Sequence, residues 1–267
     1  MNETLKRALS GAVYILLLVA SIRFSTDSFF LLFGVFLLIA IYEFCLLIKT
    51  NVIFPTFLAA TLYTLAYVSH LDRTYDQVLL FIALLSTVKC LFFLFEEESS
   101  EMSIYQKYFY IIGYIILPFI FITKIPFGIR GYNPKIIISI FILIWTNDTF
   151  AYIVGKSIGK HKLFEKISPK KTIEGFVGGV VFTVIASFVI SEYYIEGARY
   201  VWINIAIIAA IFGTLGDLVE SKFKRVAGVK DSGAIMPGHG GVLDRLDSII
   251  FVAPIVFLLY QILYYVS

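Results

Sequence analysis

The sequence predicts an all-α integral membrane protein: about nine transmembrane helices with a polar site on the cytoplasmic face. Three observations predict it. First, 59% of the 267 residues are hydrophobic and 17% aromatic, whereas soluble domains run at roughly 45–50% apolar; mean hydropathy is +0.88. Second, apolar runs of the length a crossing helix needs, about 20 residues, recur from end to end. Third, the polar residues are concentrated in two segments, 156–172 and 216–248. No stretch is long and polar enough for a separate soluble unit. Residues 1–267 therefore read as one polytopic domain, whose C-terminal half, about 134–267, carries the site.

The spans fall at approximately 8–24, 28–48, 52–69, 77–95, 107–123, 134–155, 173–191, 200–218 and 248–266. The first follows Lys6 and Arg7; without a small-residue cleavage site after it, it reads as a helix rather than a signal peptide. Pro55 and Pro118 interrupt the third and fifth. Cys45 and Cys90 sit in apolar runs as small buried hydrophobes, and two isolated cysteines make neither a disulfide framework nor a zinc site. The run Glu96-Glu97-Glu98-Ser99-Ser100-Glu101 reads as a solvated loop. Tyr108, Tyr110, Tyr193 and Tyr194 read as an interfacial belt.

Net charge is only +3, but its distribution is uneven. With a cytoplasmic N-terminus, fifteen Lys and Arg fall on the cytoplasmic side and six opposite, with Lys89 inside the fourth span. The positive-inside rule therefore predicts N-terminus in and C-terminus out. It also puts segments 156–172 and 219–247 on one face, joined by the hairpin of spans seven and eight.

Asn147 and Asp148 interrupt the sixth span. Burying an ionised Asp there costs at least about 2.5–3.5 kcal/mol on insertion scales, so it should face the bundle interior or a wet cavity. A structural hydrogen bond is the alternative. Residues 155–160 superficially resemble a phosphate loop, but the Walker spacing and the preceding strand are missing. In Ser168-Pro169-Lys170-Lys171-Thr172-Ile173-Glu174-Gly175, Ser168 is a plausible N-cap and Pro169 a first helical residue. Lys170 and Lys171 would then lie at the positive end of a helix, where an anion would relieve them. A membrane-surface anchor would explain the lysines too; Glu174 favours function.

Segment 216–248 is the most informative. It sets Asp217, Glu220, Asp231, Asp244 and Asp247 beside Lys222, Lys224, Arg225, Lys230 and Arg245, punctuated by glycines that could open backbone N–H groups toward an anion. A solvated loop is the bland reading. Lys224 lies two helical turns after Asp217, on the same face if the helix continues. Asp244 and Asp247, three apart, share one side of a helix entering the last span. Asp217, Asp244 and Asp247 are hard oxygen ligands suited to Mg²⁺ that also binds substrate phosphates, and the cations suit phosphate oxygens. His239, between glycines, reads as a hydrogen-bonder, and no Ser–His–Asp or Cys–His arrangement is readable.

The pattern Ser221-x-x-Lys224-Arg225, Lys230-Asp231-x-Gly233, Pro237-Gly238-His239-Gly240-Gly241-x-x-Asp244-Arg245-x-Asp247 resembles the signature of the phosphatidate cytidylyltransferase (CDP-diacylglycerol synthase) family. Supporting resemblances are Asn147-Asp148-x-x-Ala151-Tyr152, the 168–175 run, and Lys6-Arg7 with Ser10-Gly11; the N-terminal spans resemble the family in hydropathy only. The resemblance implies an all-helical fold in the cell membrane, often a homodimer, with CTP and membrane phosphatidate as substrates, Mg²⁺ as cofactor and no nucleic acid. Asp217, Lys224, Asp244 and Asp247 are then expected to be catalytic, the three acids holding metal. Asn147, Asp148, Lys170, Lys171, Ser221, Arg225, Lys230, Asp231, His239, Gly240, Gly241 and Arg245 are expected to meet substrate. CTP-dependent polyprenol or phytol kinases share part of such a site, and a transporter would also place acids inside a membrane. The Asp-x-x-Asp-Gly pattern of CDP-alcohol phosphotransferases is not present.

Overall fold

A computed structural model of the protein describes residues 3–68, 73–96, 102–128, 131–195, 197–235, 238 and 240–266. The sequence expectations for Glu97 to Glu101, Pro237 and His239 lie outside the described residues.

The chain alternates up and down as helices α1 (Glu3–Phe24), α2 (Thr26–Leu47), α3 (Ile53–Val68) and α4 (Arg73–Phe95), then α5 (Ile104–Tyr110) running through a π-helical turn, Ile111–Ile116, into α6 (Leu117–Lys124). After these come α7 (Pro134–Ile158), α8 (Ile173–Val189) with a π-helical extension Ile190–Tyr194, α9 (Arg199–Ala227) and α10 (Leu243–Val266). Two short antiparallel ribbons interrupt them: β1 (Phe127–Gly128) with β2 (Gly131–Tyr132), and β3 (Lys162–Phe164) with β4 (Ser168–Thr172). Among the described residues seven helices are long and apolar enough to cross a membrane; Leu9–Phe24 and Ile53–Val68 are apolar but shorter. The sixteen residues of α3 rise only about 24 Å, against a hydrocarbon core of about 30 Å. The protein is a multi-pass membrane protein with seven such helices, where the sequence suggests nine.

Local chemistry sets the helix starts. Ser25 opens α2 and Ser103 opens α5, each with a reciprocal capping box. Asn133 caps α7, with Pro134 as the first helical residue. Phenylalanines then fill the space between rods: Phe29, Phe33, Phe44, Phe119, Phe121, Phe141 and Phe251 are all essentially buried. Tyr110, expected at the membrane interface, is in this core instead, its ring 5.3 Å from that of Phe223. Tyr193 is 81% exposed. Both cysteines are buried and unbridged.

Three boundaries near the site differ from the sequence expectation. Ser168 and Pro169 do not open a helix. Lys162 pairs with Thr172 across the β3–β4 ribbon, and α8 starts only at Ile173, capped by Thr172, whose hydroxyl accepts the Gly175 N–H at 3.1 Å. Lys170 and Lys171 therefore precede the helix. The second difference is that α9 continues well beyond 218, to Ala227. Leu218, Val219 and Phe223 give its last turns a buried apolar face under their charges. It ends on Gly228 in the left-handed region (φ 75°). Finally, α10 begins at Leu243, five residues before the expected apolar span.

Close helix approach positions the site. A Cβ on Gly175 would stand 2.6 Å from the Ala151 carbonyl oxygen, so α7 and α8 pack backbone to backbone. A Cβ on Gly216 would stand 2.6 Å from the Asp247 carbonyl oxygen, which brings α9 equally close to α10. At one end of the bundle the two polar segments meet: Lys171 reaches Asp217, and Arg225 donates to the Ile167 carbonyl at 3.4 Å. At the opposite end Tyr132 bonds the Ile22 carbonyl (2.7 Å), Lys124 pairs with Asp76, and Tyr67 donates to Asp27.

Candidate active site

A cavity of about 890 Å³ opens where α7, α8, α9, α10 and the β3–β4 ribbon converge. Of the described residues expected to be catalytic or to meet substrate, all but Ser221, Gly240 and Gly241 line it. Its walls are charged with both signs. Lys170 and Lys171 come from β4, Lys224, Arg225 and Lys230 from α9 and its exit, and Arg245 from α10.

Three carboxylates gather near Lys171 and Arg245. Lys171 Nζ lies 2.7 Å from Asp217 Oδ2, and Asp217 Oδ1 accepts the Ser221 hydroxyl at 3.2 Å. Asp148, Asp217 and Asp247 are within electrostatic range of Asp247's neighbour Lys171 and of one another. Asp247 is 8% exposed, and its Oδ1 accepts the Ser248 N–H at 2.7 Å. Asn147, beside Asp148, is buried and donates to Thr214 Oγ1 at 3.3 Å, tying α7 to α9. Of the three acids Asp247 alone is buried, while Asp148 and Asp217 open to the cavity, and together they outnumber the two cations in electrostatic range, Lys171 and Arg245. That excess suits a further cation.

Asp244 is placed differently. It lines the cavity, but its oxygens accept Lys224 Nζ (2.5 Å), the Ser232 N–H and hydroxyl (both 2.9 Å) and the Gly241 N–H (2.8 Å). Lys224 also pairs with the buried Glu220. The shared face predicted for Asp217 and Lys224 is present in the continuous helix, yet each charge is taken by another partner. Asp217, Asp244 and Asp247 thus do not converge on one point; Asp217 and Asp247 gather with Asp148. Among the described residues no three Asp, Glu, His or Cys side chains enclose a metal position by themselves. Mg²⁺ commonly binds one or two carboxylates and completes its shell with water and substrate phosphates, a donor set this arrangement does fit.

Two acids have places to which the sequence assigned no role. Glu220, named within segment 216–248, is the buried partner of Lys224. Glu43, on α2, is 1% exposed and accepts the N–H groups of Val242 (3.1 Å) and Leu243 (2.8 Å). The glycine-rich turn does point N–H groups at an anion, as the glycines suggest, but the anions are the protein's own Glu43 and Asp244. The signal for Glu43 was available: an acid inside an apolar span invites the same suspicion as Asp148. Glu174 is likewise committed to the chain, accepting the Lys160 N–H (3.0 Å) and pairing with His161 Nδ1 (2.6 Å).

A second cavity, about 410 Å³, lies between α1, α7 and α10. Tyr14, Ile15, Phe141, Ile144 and Trp145 make its apolar wall, while Asp148, Asp244, Arg245, Asp247 and Ser248 belong to both cavities. A charged cleft and an apolar-walled one therefore meet at these five residues. Such a junction can bring a polyanion beside the polar end of an amphipathic molecule.

The profile of the cytidylyltransferase family matches residues 5–263. A phosphatidate cytidylyltransferase of Staphylococcus aureus (strain COL) is 46% identical over 146 residues, 54% of this chain and 54% of that protein. One from Staphylococcus haemolyticus (strain JCSC1435) is 52% identical over 121 residues, 45% of this chain and 46% of that protein. The match spans about half the length of these curated relatives.

Proposed function

Because the chain belongs to the cytidylyltransferase family, we propose that it transfers the cytidylyl group of CTP to phosphatidate, yielding CDP-diacylglycerol and diphosphate in the phospholipid synthesis of a cell membrane. The observation that carries this reading is the junction of the two cavities at Asp148, Asp244, Arg245, Asp247 and Ser248. The charged cleft would take the triphosphate from the cytoplasm. The apolar-walled cavity would admit the glycerol end of the lipid, with the acyl chains left among the helices.

The chemistry needs no general base. A phosphate monoester has a second pKa of about 6, so near neutral pH phosphatidate is already a dianionic nucleophile. A non-bridging lipid oxygen forms the new bond to the α-phosphorus, the bond from that phosphorus to the β-phosphate bridging oxygen breaks, and diphosphate leaves with the electron pair. The barrier lies in bringing two polyanions together in line. Lys170, Lys230 and Arg225 would offset charge along the triphosphate, and Arg245, at the junction, would orient the attacking phosphate. Lys171 would pass from Asp217 toward phosphate as substrate enters.

A divalent ion, proposed as Mg²⁺, would be held by Asp217 and Asp247 with Asp148 nearby; Asp244 could join only by releasing Lys224 or the Ser232 turn. When bound there, the ion supplies charge neutralisation and Lewis-acid polarisation to the CTP phosphates. The proposal keeps the N-terminus and the site on the cytoplasmic side, and includes assembly as a homodimer within one membrane domain, which light scattering of solubilised protein would check.

The deciding experiment uses purified protein in detergent–lipid micelles with phosphatidate, Mg²⁺ and CTP labelled separately at the α and γ positions. The expected result is α label in the lipid and γ label released as diphosphate. Label passing from the γ position to a lipid alcohol would establish the kinase reading instead.

A further inference from the structure

The carboxylate of Glu43 occupies an unusual position for a helix-borne acid. It sits near the end of α2, in the N-terminal half, yet it fills the turn that opens α10 some two hundred residues later. It accepts the Val242 N–H at 3.1 Å and the Leu243 N–H at 2.8 Å, and its Oε2 lies 3.2 Å from Ser232 Oγ, whose one proton it shares with Asp244. The first N–H groups of any helix lack partners within it and carry the positive end of its dipole. Here a neighbouring helix provides the cap. Two glycines make room for it: a Cβ on Gly233 would stand 2.3 Å from Glu43 Oε1, and one on Gly241 would stand 2.4 Å from both carboxylate oxygens. Ser232 Oγ also lies 2.9 Å from Asp244 Oδ2, so the turn is gripped from both sides.

From this geometry we infer that Glu43 is a positioning residue for the reaction: it holds Ser232 against the first turn of α10, and so fixes where Asp244, Arg245 and Asp247 stand in the site. The inference rests on the proposed activity for its kinetic consequence, but not for its structural one. Lys170, Lys171 and Arg225 belong to β4 and α9, which Glu43 does not hold; of the cations proposed along the triphosphate only Lys230, two residues before Ser232, is near its grip. Loss of its charge should therefore disturb the reacting geometry much more than the capture of CTP.

The test compares Glu43→Gln with wild type, and adds Gly233→Ala, whose new methyl must displace the same carboxylate. Amide hydrogen exchange of segment 240–246 is followed in the full-length protein in micelles, together with kcat and KM for CTP. In both variants exchange of this segment should quicken by about tenfold or more while the other helices keep their protection. The kcat should fall by roughly 10- to 100-fold, the range that losing a charge-assisted hydrogen bond allows, with KM for CTP within about twofold. A merely structural role would lower the amount of folded protein and leave kcat per folded molecule unchanged. Wild-type exchange in segment 240–246, or wild-type kcat, overturns the inference. So does collapse of the whole bundle in both variants, because Glu43 would then support the fold at large. If wild-type protein transfers no cytidylyl group, the proposed function fails alone, and exchange still judges Glu43.

Discussion

Asp247 has the strongest claim to direct chemistry, because it is buried, belongs to both cavities and has Asp217 and Asp148 as electrostatic neighbours. Asp247→Asn removes a charge without removing volume. Its turnover should fall by more than the roughly 10–100-fold seen when a group merely supports a ligand, in initial rates measured across a Mg²⁺ titration; near-normal rates would remove Asp247 from the assignment. Lys171 should behave in a more revealing way. Its ammonium already serves Asp217 as a cation, so it competes with any metal that binds there. Lys171→Met should lower the Mg²⁺ concentration needed for half-maximal rate and raise KM for CTP, each by about threefold to tenfold, the effect of 0.7–1.4 kcal/mol of lost charge pairing. Movement of both constants in one direction would contradict the competition. Most of this site was legible as residue types, since acids, lysines and glycines stand out against so apolar a chain. Their pairing was not. Spacing along α9 could not show that Lys224 turns to Asp244 while Asp217 turns to Lys171, because both choices depend on neighbours far away in sequence.

The α7–α8 hairpin and the β3–β4 ribbon form the element that presents Lys170 and Lys171. Thr172→Ala deletes the cap of α8 and should destabilise the protein by about 1 kcal/mol, visible as a lower melting temperature in detergent with the fold intact. Gly175→Leu is a harsher change, because the new side chain meets the Ala151 carbonyl. It should cost about 1–3 kcal/mol or more from overpacking and separate Asp148 from Asp217, so activity should fall further than stability. Gly128→Ala, with nothing within 4 Å of the added Cβ, is the neutral control; if it melts as early as Gly175→Leu, close packing is not the cause. The apolar spans were legible because a bilayer demands about 20 such residues. The start of α8 was misplaced because a strand pairing from Lys162 to Thr172 overrides the local capping signal at Ser168. The end of α9 was missed because its charges hide a narrow apolar face that only the packed bundle reveals.

At the scale of the whole molecule, the two polar segments meeting at one end of the bundle define a single working face. A lone reporter cysteine at Glu165, in a background with Cys45 and Cys90 replaced by Ala, should react with a membrane-impermeant maleimide only in inside-out vesicles. One at Gly128, at the opposite end, should react only in right-side-out vesicles; the reverse pattern would invert the proposed orientation. The length of α9 then has a consequence for kinetics. Its 29 residues extend about 43 Å, against a hydrocarbon core of about 30 Å. Asp217 lies eighteen residues after Arg199, hence about 27 Å along that rod, close to the far edge of a core of that thickness. On the proposed function, the lipid would not have to be lifted out of its leaflet, nor the nucleotide drawn into oil. Encounter with the lipid becomes a search in two dimensions. The rate should follow the mole fraction of phosphatidate in the surface and stay level when that surface is diluted with buffer alone.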